Sequence, residues 1–538
     1  MRAGLTLLSI SSLVSLSAGS PDLWETEPPT NANHIFNAIH DSMRQWGSSL
    51  HHNGVSFFLA SVPAGTQLYH GTSASTPVNG TEWLAFEPEH ALVFAQPHRG
   101  PPPHPPDNDP GHDEDELQRH REELRRREPP GPDGKHRGPL PFEPLDEQET
   151  KEGYLHTYAA AKDLRLLYID GMSAAKTQKG TLDSQDVLLF NNTLDYSLKG
   201  PGPGPRGEFE RAARACEMAE TEWAGRIDGV LRMEAGFEII LCAFERDLTP
   251  LRITQVQGQS TGAKGQGGPA HDKHLGPREG DKQRKGPGPG GPPGTDTQHW
   301  LRAVTARYAG IGGNRVSINY DHFVTAYSHE LDLFPNSGRL PRLAHLASAE
   351  LDGVRNELSA LILTHDSREV SWDWRSTTDM IVTRYSDELS YLASGKFANV
   401  EALREYIKTL LSPFIDYSAR DAAREAQRCA TQFLPVQVQD VQTLPARAVH
   451  SVAHGICSTL LGAGAQQELA AAVEKIRTLM QYLDWATWKE CRGCEDSEIC
   501  VVPIWPMGTV ADYDKPKCRA VLDPVDHDGE SYWGGFHG

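Results

Sequence analysis

Apolar and polar positions alternate with two different periods along the chain. Up to about residue 257 the apolar positions form short β-prone runs. These are Val55–Ala60, Gln67–His70 after a Pro-Ala-Gly turn, Leu164–Asp170, Gly229–Arg232 and Glu238–Phe244. Helical stripes stand among them at Thr30–Gly47, Glu89–Gln96 and Glu208–Trp223. The pattern predicts an α+β first half. From residue 299 the period becomes helical, at His345–Thr364, Thr377–Ala393, Val400–Leu411, Ala419–Phe433 and Gln466–Trp485. The second half, to about residue 490, is therefore expected to be mainly α-helical.

Two stretches carry no apolar period. Residues 97–150 are rich in Pro, His, Arg and Glu, and 258–298 are rich in Gly, Lys and Pro. Neither offers enough apolar surface to offset the entropy of ordering, so a disordered insert and an interdomain linker are expected. A short helix is possible inside the insert at Asp113–Arg127, where charges alternate. Its histidines are irregularly spaced, which favours a solvated tract over a metal site. The resulting organisation is a first domain over 21–257, a helical domain over 299–490 and a Cys-rich tail over 491–538.

Composition adds a compartment. Met1-Arg2, the mostly apolar stretch Leu5–Leu16 and the small residues Ser17–Ser20 have the layout of a secretory signal peptide over 1–20. No later apolar run is long enough to span a bilayer. The cysteine count is eight, and an even number grouped by region suits disulfides in an oxidising compartment. Cys216 is expected to pair with Cys242 and Cys429 with Cys457, with Cys491, Cys494, Cys500 and Cys518 pairing among themselves in an order the spacing leaves open. Zinc at the last four is the less favoured alternative. Asn79-Gly80-Thr81 and Asn191-Asn192-Thr193 are glycosylation sequons. The expected localisation is secreted. A formal charge of −20 argues against nucleic acid as a partner, because the chain repels phosphates.

Candidate chemistry gathers in the first half. Leu68-Tyr69-His70-Gly71-Thr72 puts an imidazole and a small flexible residue at a strand end, where a ligand can approach the backbone. Glu82-Trp83-Leu84-Ala85 and a helix start at Pro88 follow, and Asp228-Gly229-Val230 precedes Glu238-Ile239-Ile240-Leu241. Other motifs fail. Gly310-Ile311-Gly312-Gly313 lacks the third glycine of a dinucleotide loop, and in His329-Glu330-Leu331-Asp332-Leu333 a leucine stands where a zinc-protease helix needs its second histidine. No Gly-x-Ser-x-Gly occurs. Trp372-Asp373-Trp374-Arg375 reads as a packing aromatic pair ahead of a sugar or partner site.

Taken in order, His70-Gly71-Thr72, Trp83-Leu84-Ala85 and Glu238-Ile239-Ile240-Leu241 resemble the ADP-ribosyltransferase superfamily of the His-Tyr-Glu type, with Trp83 in place of the tyrosine. The resemblance covers about residues 53–254 without the insert. It implies two small facing sheets around a cleft that binds NAD as substrate. It also implies that His70 bonds the adenosine ribose, that the Gly71 backbone holds the nicotinamide amide and that Trp83 stacks on the ring. Glu238 would be the catalytic carboxylate, stabilising the oxocarbenium-like ribose cation. The activity implied is NAD-dependent ADP-ribosyl transfer to an unknown acceptor, or NAD hydrolysis. The residues alone leave plainer roles open: a strand-end histidine, a core aromatic and an edge-strand surface carboxylate. They equally allow a catalytically inactive binding or structural protein of this fold, or a function placed in the helical half as an interaction module.

Overall fold

The computed structural model describes residues 27–95, 152–194, 207–256, 297–435, 443–520 and 531–534. The stretch read as a signal peptide, the insert at 97–150 with the short helix expected in it, and most of the expected linker lie outside them.

The first half folds into β1 (Asn53–Val62), β2 (Gln67–Thr72), β3 (Glu82–Ala85), β4 (Gly153–Ala160), β5 (Leu164–Gly171), β6 (Gly229–Met233), β7 (Phe237–Leu241) and β8 (Leu248–Val256); β1, β2, β5, β6 and β7 stand on the five expected runs, and β4 and β8 lie outside them. A further strand, β9 (Ser317–Thr325), comes from beyond the linker. All nine hydrogen-bond into one mixed sheet, in the order β8-β4-β2-β3-β7-β6-β5-β1-β9. This replaces the two small facing sheets implied by the resemblance. The physical reason is continuity of pairing: β6 runs parallel beside β5, with Leu166 opposite Gly229, and so joins the β2–β3–β7 side to the β5–β1 side. A parallel pair needs a long crossover, and the chain between β5 and β6, which includes the helix Glu208–Glu220, supplies it. β1 is buried at every position, as a strand covered on both faces should be.

Helices α1 (Ala32–Asp41), α2 (Gln45–Leu50), α3 (Pro88–Leu92) and α4 (Glu208–Glu220) surround the sheet. Met43 and Arg44 break the single helix expected over Thr30–Gly47: Met43 has φ 57° and Arg44 is extended. The second half supplies α5 (Thr297–Arg307), α6 (Ser348–Thr364), α7 (Trp374–Ala393), α8 (Val400–Leu411), α9 (Ala422–Thr431), α10 (Leu444–Gly464) and α11 (Leu469–Leu483). It is helical as its periodicity predicts, with β9 as the exception. Among these helices α5 and α10 lie outside the expected stretches; the buried stripe of α10 mixes Ala446, Ala448, Ala453 and Ala463 with Val449, Val452, Ile456 and Leu460.

The compositional boundary divides the chain and not the core. β9 pairs antiparallel with β1, Phe57 facing Val324. α1 packs on α10 and α7, and the Asn33 and Asn37 side chains donate to the Tyr482 and Leu483 carbonyls at 2.6 and 2.9 Å. At the other end of the chain, Tyr532 Oη lies 2.8 Å from His52 Nε2 beside β1.

The disulfides form as expected: Cys216–Cys242, Cys429–Cys457, Cys491–Cys500 and Cys494–Cys518. The first ties α4 to the strand end of β7, and the second staples α9 to α10. The last two close the tail, where β10 (Ile499–Val501) pairs with β11 (Lys517–Arg519). Among the described residues no helix is long and apolar enough to cross a membrane.

Candidate functional site

β2, β3 and β7 lie side by side, so the three strands bearing His70, Trp83 and Glu238 are consecutive neighbours in the sheet. Register decides where the side chains go. Tyr69 faces Ala85, Ala85 faces Glu238 and Trp83 faces Ile240. Side chains alternate between faces with a period of two. Trp83 and Glu238 therefore share one face, whereas His70, one position from Tyr69, belongs to the other. The sheet brings two of the three residues together and turns the third away.

His70 is buried against His156 and Phe244, with ring centroids 6.0 and 5.6 Å away. Its Nδ1 donates to the Trp83 carbonyl at 2.7 Å. Burial pushes its pKa down to about 4 despite that hydrogen bond, so the ring is neutral near pH 7. This is a satisfied strand histidine, one of the plainer roles left open by the residues. Gly71 is required by the chain itself. A Cβ there would lie 1.9 Å from the Ala91 oxygen of α3 and 2.6 Å from the Ala95 nitrogen. The close approach at this glycine is thus made by α3. Gly71→Ala is expected to cost about 1–3 kcal/mol of stability through overpacking, measured by urea unfolding; an unchanged midpoint would show that α3 moves aside freely.

Trp83 is half-buried and meets Phe209 of α4 edge-on at 5.4 Å. Glu238 lies between β3 and β6 in the sheet interior and is 4% exposed, which rules out a surface edge-strand carboxylate. Directly across the β6–β7 ladder stands Arg232, fully buried, whose Nε donates to Glu238 at 2.9 Å. The same guanidinium donates to Gln185 Oε1 at 2.9 Å and to Glu208 at the start of α4. Arg211 binds Asp186 through two 2.8 Å bonds and also reaches Glu208, while Lys176 contacts Glu208 and Glu234.

The network holds three cations, Arg232, Arg211 and Lys176, against four carboxylates, Glu208, Asp186, Glu234 and Glu238. The surplus negative charge shows in the pKa values. Burial works against ionisation of Glu208, but Arg232, Lys176 and Arg211 outweigh it and hold the group down to about 2. For Glu238 burial wins over the single contact with Arg232, and its pKa rises to about 7.

A second cluster, which sequence reasoning did not single out, lies where α1, the end of α2 and the ends of β1 and β5 meet. A partly open cavity of about 20 Å³, room for a water molecule, is lined by His34, Asn37, Asp41, His51 and Asp170 among others. Asp41 Oδ1 lies 2.8 Å from His40 Nδ1 and its Oδ2 lies 2.7 Å from His51 Nδ1. His51 Nε2 faces Asp484 at 3.6 Å. Gly47 makes room for this arrangement, since a Cβ there would lie 2.4 Å from the Asp41 side chain. Burial disfavours the His51 cation, but hydrogen bonds and charge from Asp41 and Asp484 raise its pKa to about 10. Asp41 is held well below the usual carboxylate range by His40 and His51, against its burial. Asp170 is pushed up to about 7 by burial. The buried Asn37 Oδ1 has no hydrogen-bond partner. The sequence signal was the pair of dipeptides His40-Asp41 and His51-His52, set in a stretch that also holds Asn, Ser, Gln and Arg. Asp484 comes from the far end of the chain.

With this geometry in view, the comparisons with known proteins are specific but narrow. A family profile described as the YPL277C N-terminal domain matches residues 28–261. The chain is 32% identical over 220 residues to the uncharacterized protein YOR389W of Saccharomyces cerevisiae, which is 40% of this chain and 32% of that protein. It is also 32% identical over 221 residues to the uncharacterized yeast protein YPL277C, 40% of this chain and 41% of the relative. The chain thus spans about a third to two fifths of the length of these curated relatives. No solved structure matches. The matched stretch runs from the residues just before α1 to just past β8, and so leaves out β9 and the helical half.

Proposed function

We propose that the first half carries an ADP-ribosyltransferase-like scaffold whose Glu238 centre holds the sheet together and does not turn over NAD. On this reading the protein is a secreted binding or structural protein. Support for the scaffold comes from the adjacency of β2, β3 and β7, which carry His-Gly-Thr, Trp and Glu in the family's order.

One observation carries the inactive reading: Glu238 is already paired with a fully buried guanidinium at 2.9 Å. A carboxylate stabilises a developing ribose cation only if its field is uncompensated there. The Arg232 cation sits where it cancels most of that field, and the raised pKa of Glu238 leaves part of the population uncharged. His70 and Gly71 reinforce the reading, since one faces the opposite side and the other is packed under α3. Secretion is supported by four closed disulfides, which persist in oxidising compartments. The two sequon asparagines, Asn79 and Asn191, are exposed.

Purified full-length protein incubated with labelled NAD is expected to release no nicotinamide above the blank, with or without added protein acceptors. Release that drops on the order of a hundredfold in Glu238→Gln would overturn this reading and restore the enzyme.

A further inference from the structure

We propose that His322, His365 and Glu369 form a binding site for one late first-row divalent cation, zinc by preference, on the surface between β9 and the end of α6. Donor atoms of the three residues all lie within 4.8 Å of one another. The site lies outside the stretch shared with the yeast relatives and is independent of the Glu238 centre, so it goes beyond the function proposed above.

Each ligand sits on an element fixed by other contacts. His322 is on β9, where its backbone N–H donates to Asn319 Oδ1 at 3.1 Å. The neighbouring Asp321 is clamped by the Trp372 backbone N–H at 2.8 Å and by Trp374 Nε1 at 2.6 Å. The Trp-Asp-Trp segment thus packs against and anchors the strand that presents His322. His365 follows the last turn of α6, and its carbonyl accepts from Arg226 at 2.9 Å, as does that of Ile362 at 2.7 Å. Glu369 closes a turn in which its Oε1 accepts from the Asp366 backbone N–H at 2.9 Å. That bond leaves Oε2 directed at His365.

The separations suit a shared ion. His365 Nδ1 and Glu369 Oε2 are 3.1 Å apart. Two donors each about 2.0–2.2 Å from zinc at tetrahedral or octahedral angles are themselves about 2.8–3.6 Å apart. The His322 and His365 rings stack with centroids 3.7 Å apart at 18°, and because a nitrogen lone pair lies in the plane of its ring, metal binding requires the His322 ring to turn out of this stack. Two imidazoles and one carboxylate favour zinc and its neighbours over magnesium or calcium, which take oxygen ligands. The His365 and Glu369 side chains are 33% and 39% exposed, leaving the remaining coordination positions open to water. Three protein ligands with open positions make an exchangeable site, unlike a closed structural one. Among the described residues the other group with metal-ligand proximity, Cys491, Cys494 and Cys518, is already spent in disulfides and offers no thiolate.

The test is a titration of chelator-stripped full-length protein with zinc chloride, and with cobalt chloride as the spectroscopic probe. Histidines elsewhere in the chain also take up metal, so the readout is the difference between variants. His322→Ala and Glu369→Gln are each expected to remove one equivalent per chain, or to weaken it tenfold or more, as loss of a ligand should at least match loss of a supporting hydrogen bond. His329→Ala, which removes a histidine paired with Glu357 and outside the group, should change nothing. Glu369→Gln conserves size at an exposed position and guards against a folding defect in the histidine variant. Stoichiometry and affinity unchanged in both ligand variants would overturn the proposal. So would an anomalous zinc peak that does not contact all three side chains.

Discussion

Arg232→Met is expected to destabilise the protein by about 3–5 kcal/mol, because it removes the one cation shared by two buried carboxylates. Arg232 is fully buried and donates to Glu238, Glu208 and Gln185. Without it, Glu208 keeps Arg211 and Lys176, but Glu238 keeps no cation at hydrogen-bonding distance and must take up a proton or remain an uncompensated charge. Urea unfolding of the single variant and of Arg232→Met/Glu238→Gln gives the decisive comparison. The double variant should recover part of the loss, since neutral glutamine in place of glutamate removes the charge that the methionine strands. A double variant less stable than Arg232→Met alone would show that the pair does not act as a unit. The same comparison separates structure from catalysis: a Glu238 that matters for stability and not for NAD turnover is a sheet fastener.

The second large effect is expected at Asp41. Asp41→Asn leaves the His51 cation with Asp484 alone, 3.6 Å from its Nε2. Breaking a buried ion pair by removing one partner costs about 3–5 kcal/mol, toward the low end here because Asp484 remains. The pH profile is the sharper test. His51 rises from an ordinary 6.5 to about 10, so the stability it contributes is complete below pH 6.5 and lost as pH rises through 10. Asp41 moves the opposite way from its ordinary 3.8, so its contribution is complete above that value and lost on acidification. Wild-type stability from this pair should therefore plateau between about pH 4 and 6.5 and decline on both sides. In Asp41→Asn both limbs should flatten. An alkaline limb of unchanged slope would assign the decline to other groups; Asp170, raised from 3.8 to about 7, lowers stability only between those values and so tilts the plateau, not the alkaline limb.

Local pattern carried the strands and helices well, because a strand buried on both faces and an amphipathic helix each leave a period in the sequence. β5 was read as Leu164–Asp170 and forms over Leu164–Gly171, and Val400–Leu411 was read and found with the same ends. The disulfides were legible for a related reason: eight cysteines in three regional groups leave few pairings that short chain separations allow. β4, β8, β9, α5 and α10 lie outside the expected elements: β4 borders a low-complexity insert, and alanines dilute the Val, Ile and Leu of the buried α10 stripe.

The candidate site divides along the same line. Its order, His70, Trp83, then Glu238, is a property of the sequence, and so is the adjacency of strands that such an order suggests. Whether those side chains meet is a matter of register, and one residue of register exchanges the two faces of a sheet. That placed His70 opposite to Glu238. The partner of Glu238 was likewise out of reach, because Arg232 and Glu208 meet it only across a ladder and from a helix start. The Asp41–His51–Asp484 cluster and the His322–His365–Glu369 group join residues that are distant in sequence, brought together when α1 docks on the helical half and β9 joins the sheet. The chain by itself determined periods, cysteine groups and compartment signals, all of them local or compositional. Pairing, charge compensation and the sharing of one core by two compositional halves were decided only in the tertiary structure, because electrostatic and packing energies depend on distances that sequence spacing does not encode.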